Sequence, residues 1–475
     1  MAKPKSKVTP LSAKVWTSVV LFGLFGQIAW MLENMYFNVF MDRTVTTNPF
    51  AVQLMVALSA IVATATTLVS GTLTDRVGKR KRFICWGYIV WGLTVMIFAL
   101  ISKKNTAAIF GLDPAGQAVI TITVSFIVFM DCVMTFVGSF CNDAAFNAWV
   151  TDITDETNRG TVEGVLAIMP LMAMAVIFGG LDSLTWNTYL LPDGSQSNIW
   201  QEGAVLLSHG KWWLFFVLVG GITTLSGIAG FFLIKDSPKL MPNKEASFKN
   251  ILYGFKPAVL KENKDLYITY GAMALVGIAN MSYLPYIVQY VERTLKIPDY
   301  IIPIAAIIVI SSIISVVLGL LYDKFGRNKF VIPVNISNIM GAVAMTVVSP
   351  LVFDTTPIWL LCIAGVLLMA SNLALGAVFA STARDLTPPD KVGLFQGVRM
   401  VFWVLLPMVI GPLITAIITT QSSVVGIDEY GQKVYEYTPY MFLVGAGIMA
   451  LGLPFTFLVK KYLDKQAKPA AEVKE

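Results

Sequence analysis

The sequence predicts an all-α membrane protein, with twelve transmembrane helices in two six-helix bundles and both termini cytoplasmic. Three observations carry that expectation. Of 475 residues, 56% are hydrophobic and 13% charged, against roughly 45–50% and about 25% in an ordinary soluble domain. Twelve apolar runs are each long enough to cross a bilayer, which takes about 20 residues. Two loop motifs recur at equivalent places in the two halves.

Taken in order, the runs lie near residues 16–40, 50–72, 84–101, 118–148, 164–181 and 212–234. Six more lie near 267–290, 300–321, 331–353, 357–380, 395–419 and 438–460. The first comes after a basic N-terminus but has no small-residue cleavage site, so it is expected to be a helix and not a removable signal. Cys85, Cys132, Cys141 and Cys362 all fall inside apolar runs, which gives no exterior disulfide framework. A +6 net charge in a soluble protein would point to nucleic acid; here the cations track topology. With the N-terminus inside, 27 of the 35 Lys and Arg fall in inner segments and seven in outer ones, as the positive-inside rule requires. The expected organisation is an inner tail (1–15), a first bundle (16–234), an inner linker (235–266), a second bundle (267–460) and an inner tail (461–475). The longest outer loop, about 182–211, carries turn residues and the single histidine, His209, which is expected to be an exposed bystander.

The internal repeat is visible twice. Gly71-Thr-Leu-Thr-Asp75-Arg76-Val-Gly78-Lys79-Arg80 comes after the second run, and Gly319-Leu-Leu-Tyr-Asp323-Lys324-Phe-Gly326-Arg327 after the eighth. Both fit G-x3-D-[RK]-x-G-[RK]. After the fourth and tenth runs, the segment from Asp152 to Gly164 aligns without gaps to that from Asp385 to Gly397.

The first of these motifs resembles the loop signature of the major facilitator superfamily, and the likeness extends over essentially the whole chain through its twelve runs and half-chain repeat. That resemblance implies two parallel six-helix halves around a midplane site. It also implies that Asp75 and Asp323 are latch residues holding the inner side closed, with Arg76, Arg80 and Arg327 in the motifs and Arg159 and Arg384 as partners.

Ionisable groups at membrane depth cost at least a few kcal/mol, so each is a candidate site residue. They are Glu33 in the first run, Asp131 and Asp143 in the fourth, Glu163 at the start of the fifth and Arg399 in the eleventh. At about 100° per residue, Gln27, Trp30, Asn34 and Asn38 form a stripe with Glu33 on its flank. Amides donate and accept at once, and a flat ring covers the apolar face of a sugar, so the stripe suits a polyhydroxylated solute. In the fourth run Asp131, Thr135, Gly138, Asn142 and Phe146 share one face, with Asp143 rotated away. A carboxyl that becomes neutral when desolvated suits a proton carrier, which makes Glu33, Asp131 and Asp143 the coupling candidates. Arg399 either pairs with a carboxylate in one state or snorkels to the inner surface. In the second half Asn280 and Tyr283 loosely echo Asn34-Met-Tyr36 and are solute candidates. Asn335, Asn338 and Asn372 are further amides at depth.

Gly26-Gln-x-Ala-Trp30-x-x-Glu33, with Asp75 to Ile84, is similar to the sugar symporter branch, which includes sucrose-type proton symporters and glycoside-pentoside-hexuronide cation symporters. The branch resemblance implies a sugar contact near Asn142 and Asp143. Span two, Gln53 to Ser70, lacks the acidic pair that forms a sodium site in melibiose-type carriers, which favours protons over sodium. The expected function is therefore import of a di- or oligosaccharide or glycoside with a proton by alternating access. The expected partners are that sugar, the proton and membrane lipids, with no nucleic acid; a monomer in a bacterial inner membrane is expected. The alternatives are an exporter of drugs or metabolites and a lipid or lysolipid carrier of the same fold. Pro170 lacks the Gly-Pro-x-x-Gly context of exporters, although Gly411-Pro412 lies in span eleven. A receptor would be expected to carry a soluble signalling domain. No phosphate loop, metal cluster or nucleophile-base set occurs, so no enzyme, cofactor or metal is expected.

Overall fold

In a computed structural model the described residues are 10–77, 79–154, 158–198, 203–236, 253–297, 300–351, 358–388, 392–422, 424–427 and 433–467. Hydrocarbon offers backbone groups no hydrogen-bond partner, so an apolar run of this length must satisfy its own N–H and C=O groups as a helix. Among the described residues there are twelve such spans. The first six are Ala13–Thr44, Pro49–Ser70, Arg80–Leu100, Gln117–Ile153, Ile168–Thr185 and Trp212–Leu233. The second six are Lys264–Thr294, Ile301–Tyr322, Arg327–Ser349, Ile358–Leu386, Gly397–Gln421 and Tyr440–Lys465. The twelve-helix fold class read from the sequence is borne out. The helix ends that carry the basic loop motifs are termed inner below, and the opposite ends outer.

Several spans are not uniform. Five-residue or longer π-helical turns interrupt span 1 at Leu32–Tyr36, span 4 at Ser139–Phe146, span 5 at Ile177–Leu181, span 7 at Tyr290–Thr294 and span 11 at Val401–Leu405. Such turns add a residue to the helical repeat and recur at functional sites. They also rotate the remainder of the helix relative to the 100° expectation.

The chain separates into two compact units. The first draws on residues up to Thr46, then Ile61–Asn198 and 203–236; the second on Thr47–Ala60 and residues from 253 onward. In the first unit, spans 3 and 6 meet through small residues: a Cβ on Gly92 would lie 2.3 Å from the Gly220 carbonyl oxygen. Without a hydrophobic drive between helices in lipid, such close approach is what packs them. The outer half of this unit is aromatic, with Phe37 stacked on Phe98 at 4.1 Å between ring centroids and Tyr36 on Phe215 at 5.1 Å.

That outer end also holds a buried polar network. The Tyr36 hydroxyl donates to Asp182 Oδ1 at 2.7 Å, and Trp186 Nε1 donates to Asp182 Oδ2 at 2.6 Å. Arg43 Nη1 donates to the Thr185 hydroxyl at 2.7 Å, while Asn187 Nδ2 donates to the Arg43 carbonyl at 3.1 Å. Span 1 is thereby tied to the loop after span 5. Within that loop the sequence suggested only turns; the structure has strands β1 (Thr188–Leu190), β2 (Gln196–Ser197) and β3 (Val205–Ser208), in the order β2-β1-β3, all antiparallel. Strands of two to four residues are too short to show a two-residue period.

The second unit packs around Tyr270, Met273, Phe379 and Val398, all buried. Asn335 Nδ2 donates to the Thr456 hydroxyl at 2.6 Å, and Asn338 Nδ2 donates to the Leu368 carbonyl at 3.1 Å and the Ser371 hydroxyl at 3.2 Å. Two of the amides noted at depth thus join span 9 to spans 12 and 10. After span 11, strands β4 (Val424–Ile427) and β5 (Lys433–Tyr435) form a hairpin.

Candidate functional site

The first unit gathers most of the residues singled out in the sequence. Trp30 Nε1 donates to Asn142 Oδ1 at 3.2 Å. Asn142 Nδ2 in turn donates to the Tyr88 hydroxyl, which donates to the Phe22 carbonyl at 2.9 Å. This chain fixes both ends of the Asn142 amide and so orients the Trp30 indole; Trp91 packs edge-on against Trp30 at 5.2 Å. Asn142 therefore positions Trp30. Gly26 is what admits the arrangement, because a Cβ there would lie 2.3 Å from Asn142 Nδ2 and 2.7 Å from the Tyr88 hydroxyl.

Beside this network stands a carboxyl cluster. Thr135 donates to Glu33 Oε1 at 2.8 Å, joining spans 1 and 4. The other oxygen, Glu33 Oε2, is buried with no hydrogen-bond donor among the described residues. On span 4, Asp131 is 1% exposed and Asp143 half-buried. A straight helix would turn Asp143 away from Asp131. Asn142, on the Asp131 face as the straight-helix reading expects, reaches Trp30, and the stretch Ser139–Phe146 that carries it is a π-helical turn.

Other members of the expected stripe serve the helix. Asn34 Nδ2 donates to the Trp30 carbonyl at 2.8 Å, and Asn38, fully buried, donates to the Asn34 carbonyl at 3.2 Å. Asn34 itself is exposed and Gln27 half-buried. Both bonds run from a side-chain amide to the carbonyl four residues earlier, beside the π-helical turn Leu32–Tyr36.

The second unit places Tyr283 against Phe442, with ring centroids 5.2 Å apart, and leaves Asn280 half-buried one turn earlier. Tyr286 donates to the Pro412 carbonyl at 3.1 Å and stacks on Tyr437 at 4.7 Å. Gln289 is 1% exposed, and neither its amide nitrogen nor its oxygen has a partner among the described residues. Asn372 likewise has an unengaged amide nitrogen. A separate groove of about 630 Å³ between spans 8, 9 and 10 is lined almost wholly by aliphatic side chains, among them Ile310, Val334 and Ile363. Its only hydroxyls are those of Ser337 and Ser371, few for a polar solute.

At the inner ends, the side chains of Asp75, Arg76, Arg159, Glu163 and Asp323 lie outside the described residues. Among the described residues, two ion pairs join the loop motifs to neighbouring helices there. Arg80 Nε lies 3.2 Å from Asp152 Oδ2, with the arginine side chain 5% exposed. Arg327 Nη2 lies 2.7 Å from Asp385 Oδ2, and Arg327 Nη1 donates to the Ser381 hydroxyl at 2.9 Å. Each joins a loop motif to the inner end of the fourth helix of its own half. In the sequence Asp152 and Asp385 mark only the repeat; their recurrence at the same aligned position is the signal that they carry a function. The repeat also extends to a motif that local sequence reading misses. Tyr36, Asp42, Arg43 and Thr44 recur at identical spacing as Tyr286, Glu292, Arg293 and Thr294, closing the outer ends of spans 1 and 7.

Twelve spans, a two-fold internal repeat and ionisable groups held at membrane depth define a secondary transporter. The family profile described as Major Facilitator Superfamily matches residues 18–383, and the chain belongs to that superfamily. It is a multi-pass membrane transporter of the alternating-access type and not an enzyme. Among solved structures, a bacterial homologue of the human lysosomal transporter Spinster, inward-facing and unoccupied, superposes with a TM-score of 0.65 at 12% identity, over 96% of this chain and 99% of that one. The nucleoside transporter NupG gives 0.64 at 13% identity, covering 94% of this chain and 100% of that one. The xylose transporter XylE from E. coli gives 0.60 at 12% identity, covering 94% and 98%. These likenesses are of fold. No curated protein matches the sequence.

Proposed function

We propose that the protein imports a sugar, of the di- or oligosaccharide or glycoside class, together with a proton. The carboxyl cluster beside the Trp30–Asn142–Tyr88 network is the observation that carries this reading. An orphaned carboxylate oxygen in a buried site is costly as an anion, and a proton at Glu33 relieves that cost. The indole of Trp30 is the stacking surface, and Gln27 and the exposed Asn34 are the polar contacts beside it, with the buried Asn38 bonded to the Asn34 carbonyl behind them. Trp91 Nε1, buried without an acceptor among the described residues, is a further donor in the same cluster. In the second unit Asn280, Tyr283 and Gln289 supply solute contacts. The missing acidic pair in span 2 supports protons over sodium.

The distribution of Lys and Arg supports cytoplasmic termini and a division of the chain at the linker 235–266. Asp75, Arg76, Arg159, Asp323 and Arg384 act as inner latches in this reading, with Arg80 and Arg327 bound to Asp152 and Asp385. The protein works as a monomer in a bacterial inner membrane. Uptake of a panel of labelled glycosides into proteoliposomes under imposed pH or sodium gradients tests the proposal. Accumulation of at least one glycoside under an inward proton gradient is expected. Movement of hydrophobic cations or lipids with no sugar uptake under either gradient overturns it in favour of an exporter or a lipid carrier.

A further inference from the structure

Arg384, in the last turns of span 10, and Arg399, in the first turn of span 11, line one cavity of about 70 Å³ together with Tyr270, Thr387 and Phe395. The two side chains border the same space. Neither has a hydrogen bond or an ion pair among the described residues, and the nearby carboxylate of Asp385 is already engaged by Arg327 at 2.7 Å. The Thr387 hydroxyl is satisfied without a ligand, donating to the Ala383 carbonyl at 2.6 Å. What the cavity offers is guanidinium N–H groups, five on each arginine.

Simple snorkelling does not account for this arrangement. Arg384 is exposed and Arg399 half-buried; a half-buried cation without a counter-charge is costly, and snorkelling would lower the cost by carrying the Arg399 head towards water. Here both arginines line one small cavity. Nor is the pair a by-product of the duplicated topology. Extending the alignment of Asp152 with Asp385 places Thr151 and Leu166 opposite Arg384 and Arg399, so the first half carries no charge at either place. Converging arginine forks match the oxygens of a phosphate or carboxylate, often bidentately. A water takes about 30 Å³, so the volume suits one small oxyanion.

We propose that this cavity binds a single oxyanion of the phosphate type, held by Arg384 and Arg399. It is distinct from the polar set of span 7, because Tyr270 precedes Asn280 by ten residues, about 15 Å of helix. The proposal does not depend on which solute is transported. Two sources share the chemistry, free phosphate and the headgroup of an anionic phospholipid, and the test has an arm for each.

Full-length protein in phosphatidylcholine nanodiscs is unfolded thermally while inorganic phosphate is titrated against chloride at constant ionic strength. A second arm uses phosphatidylglycerol nanodiscs without phosphate. A saturable rise in Tm with phosphate identifies the soluble anion; a rise in phosphatidylglycerol that phosphate does not increase identifies the headgroup. In either case Arg384→Gln and Arg399→Gln should each weaken the response at least tenfold. Arg399→Lys, which keeps the charge and loses the fork, should weaken it while preserving the fold. No shift beyond chloride in either arm, or a wild-type response in any of the three variants, overturns the proposal.

Discussion

Glu33 shows how much one residue's role depends on its neighbours. Its position in span 1 is legible as a charge where charges are expensive, but the Thr135 hydroxyl on one oxygen and the orphaned second oxygen are not. If the cluster couples transport to protons, then Glu33→Gln and Asp131→Asn abolish gradient-driven accumulation, a loss of at least about tenfold, corresponding to about 1.4 kcal/mol of coupling. Solute counterflow, which needs no net proton movement, should survive in part. Normal accumulation by both variants in proteoliposomes would reject these groups as carriers. Asn142 illustrates the opposite case. The sequence offers it as a solute contact, and its amide is instead bonded to Trp30 and Tyr88. Tyr88 escapes sequence reading because a tyrosine in an apolar span looks like core until its hydroxyl partner is known.

Among the elements, the two inner ion pairs occupy equivalent places and should differ in strength. Arg80 and Asp152 are 5% and 23% exposed, whereas Arg327 and Asp385 are 29% and 42% exposed. Breaking a buried pair strands a charge and costs roughly 3–5 kcal/mol, while an exposed pair is worth about 1 kcal/mol or less. Asp152→Asn should therefore lower the melting temperature clearly more than Asp385→Asn; equal effects would show that burial does not set their strength. The β5 hairpin strand leads into Glu436, whose carboxyl is held above the usual glutamate range by burial, with Lys296 and Arg293 opposing the shift. A raised folded-state pKa leaves stability intact below the ordinary value, about 4.3, and removes it as pH climbs through the folded value. Glu436→Gln should thus be more stable than wild type at neutral pH, with the difference vanishing below about pH 4; thermal melts across pH measure it. The π-helical turns are the element the sequence hid. Their residues have no distinctive composition, and a fixed 100° step cannot anticipate where a helix gains a residue.

For the molecule as a whole, lipid imposes a severe constraint, and that is why so much is legible in the sequence. Each span must be apolar and about 20 residues long, so counting runs recovers all twelve helices to within a few residues of their observed ends. The bias of Lys and Arg makes a further prediction at this scale. Reporters fused after residue 475 and within 235–266 should read cytoplasmic, and one placed in 103–116 should read external; any inversion would overturn the proposed orientation. The sequence by itself determined the span count, the superfamily, the duplicated halves and the small set of charges at depth, because hydropathy and charge act locally along a chain. Only the tertiary structure decided that Thr135 meets Glu33, that Asn142 orients Trp30, that Asp152 and Asp385 hold the loop motifs, and that Arg384 and Arg399 share a cavity. Those outcomes depend on helix rotation and close packing between segments far apart in sequence, where a single π-helical turn is enough to change which side chains meet.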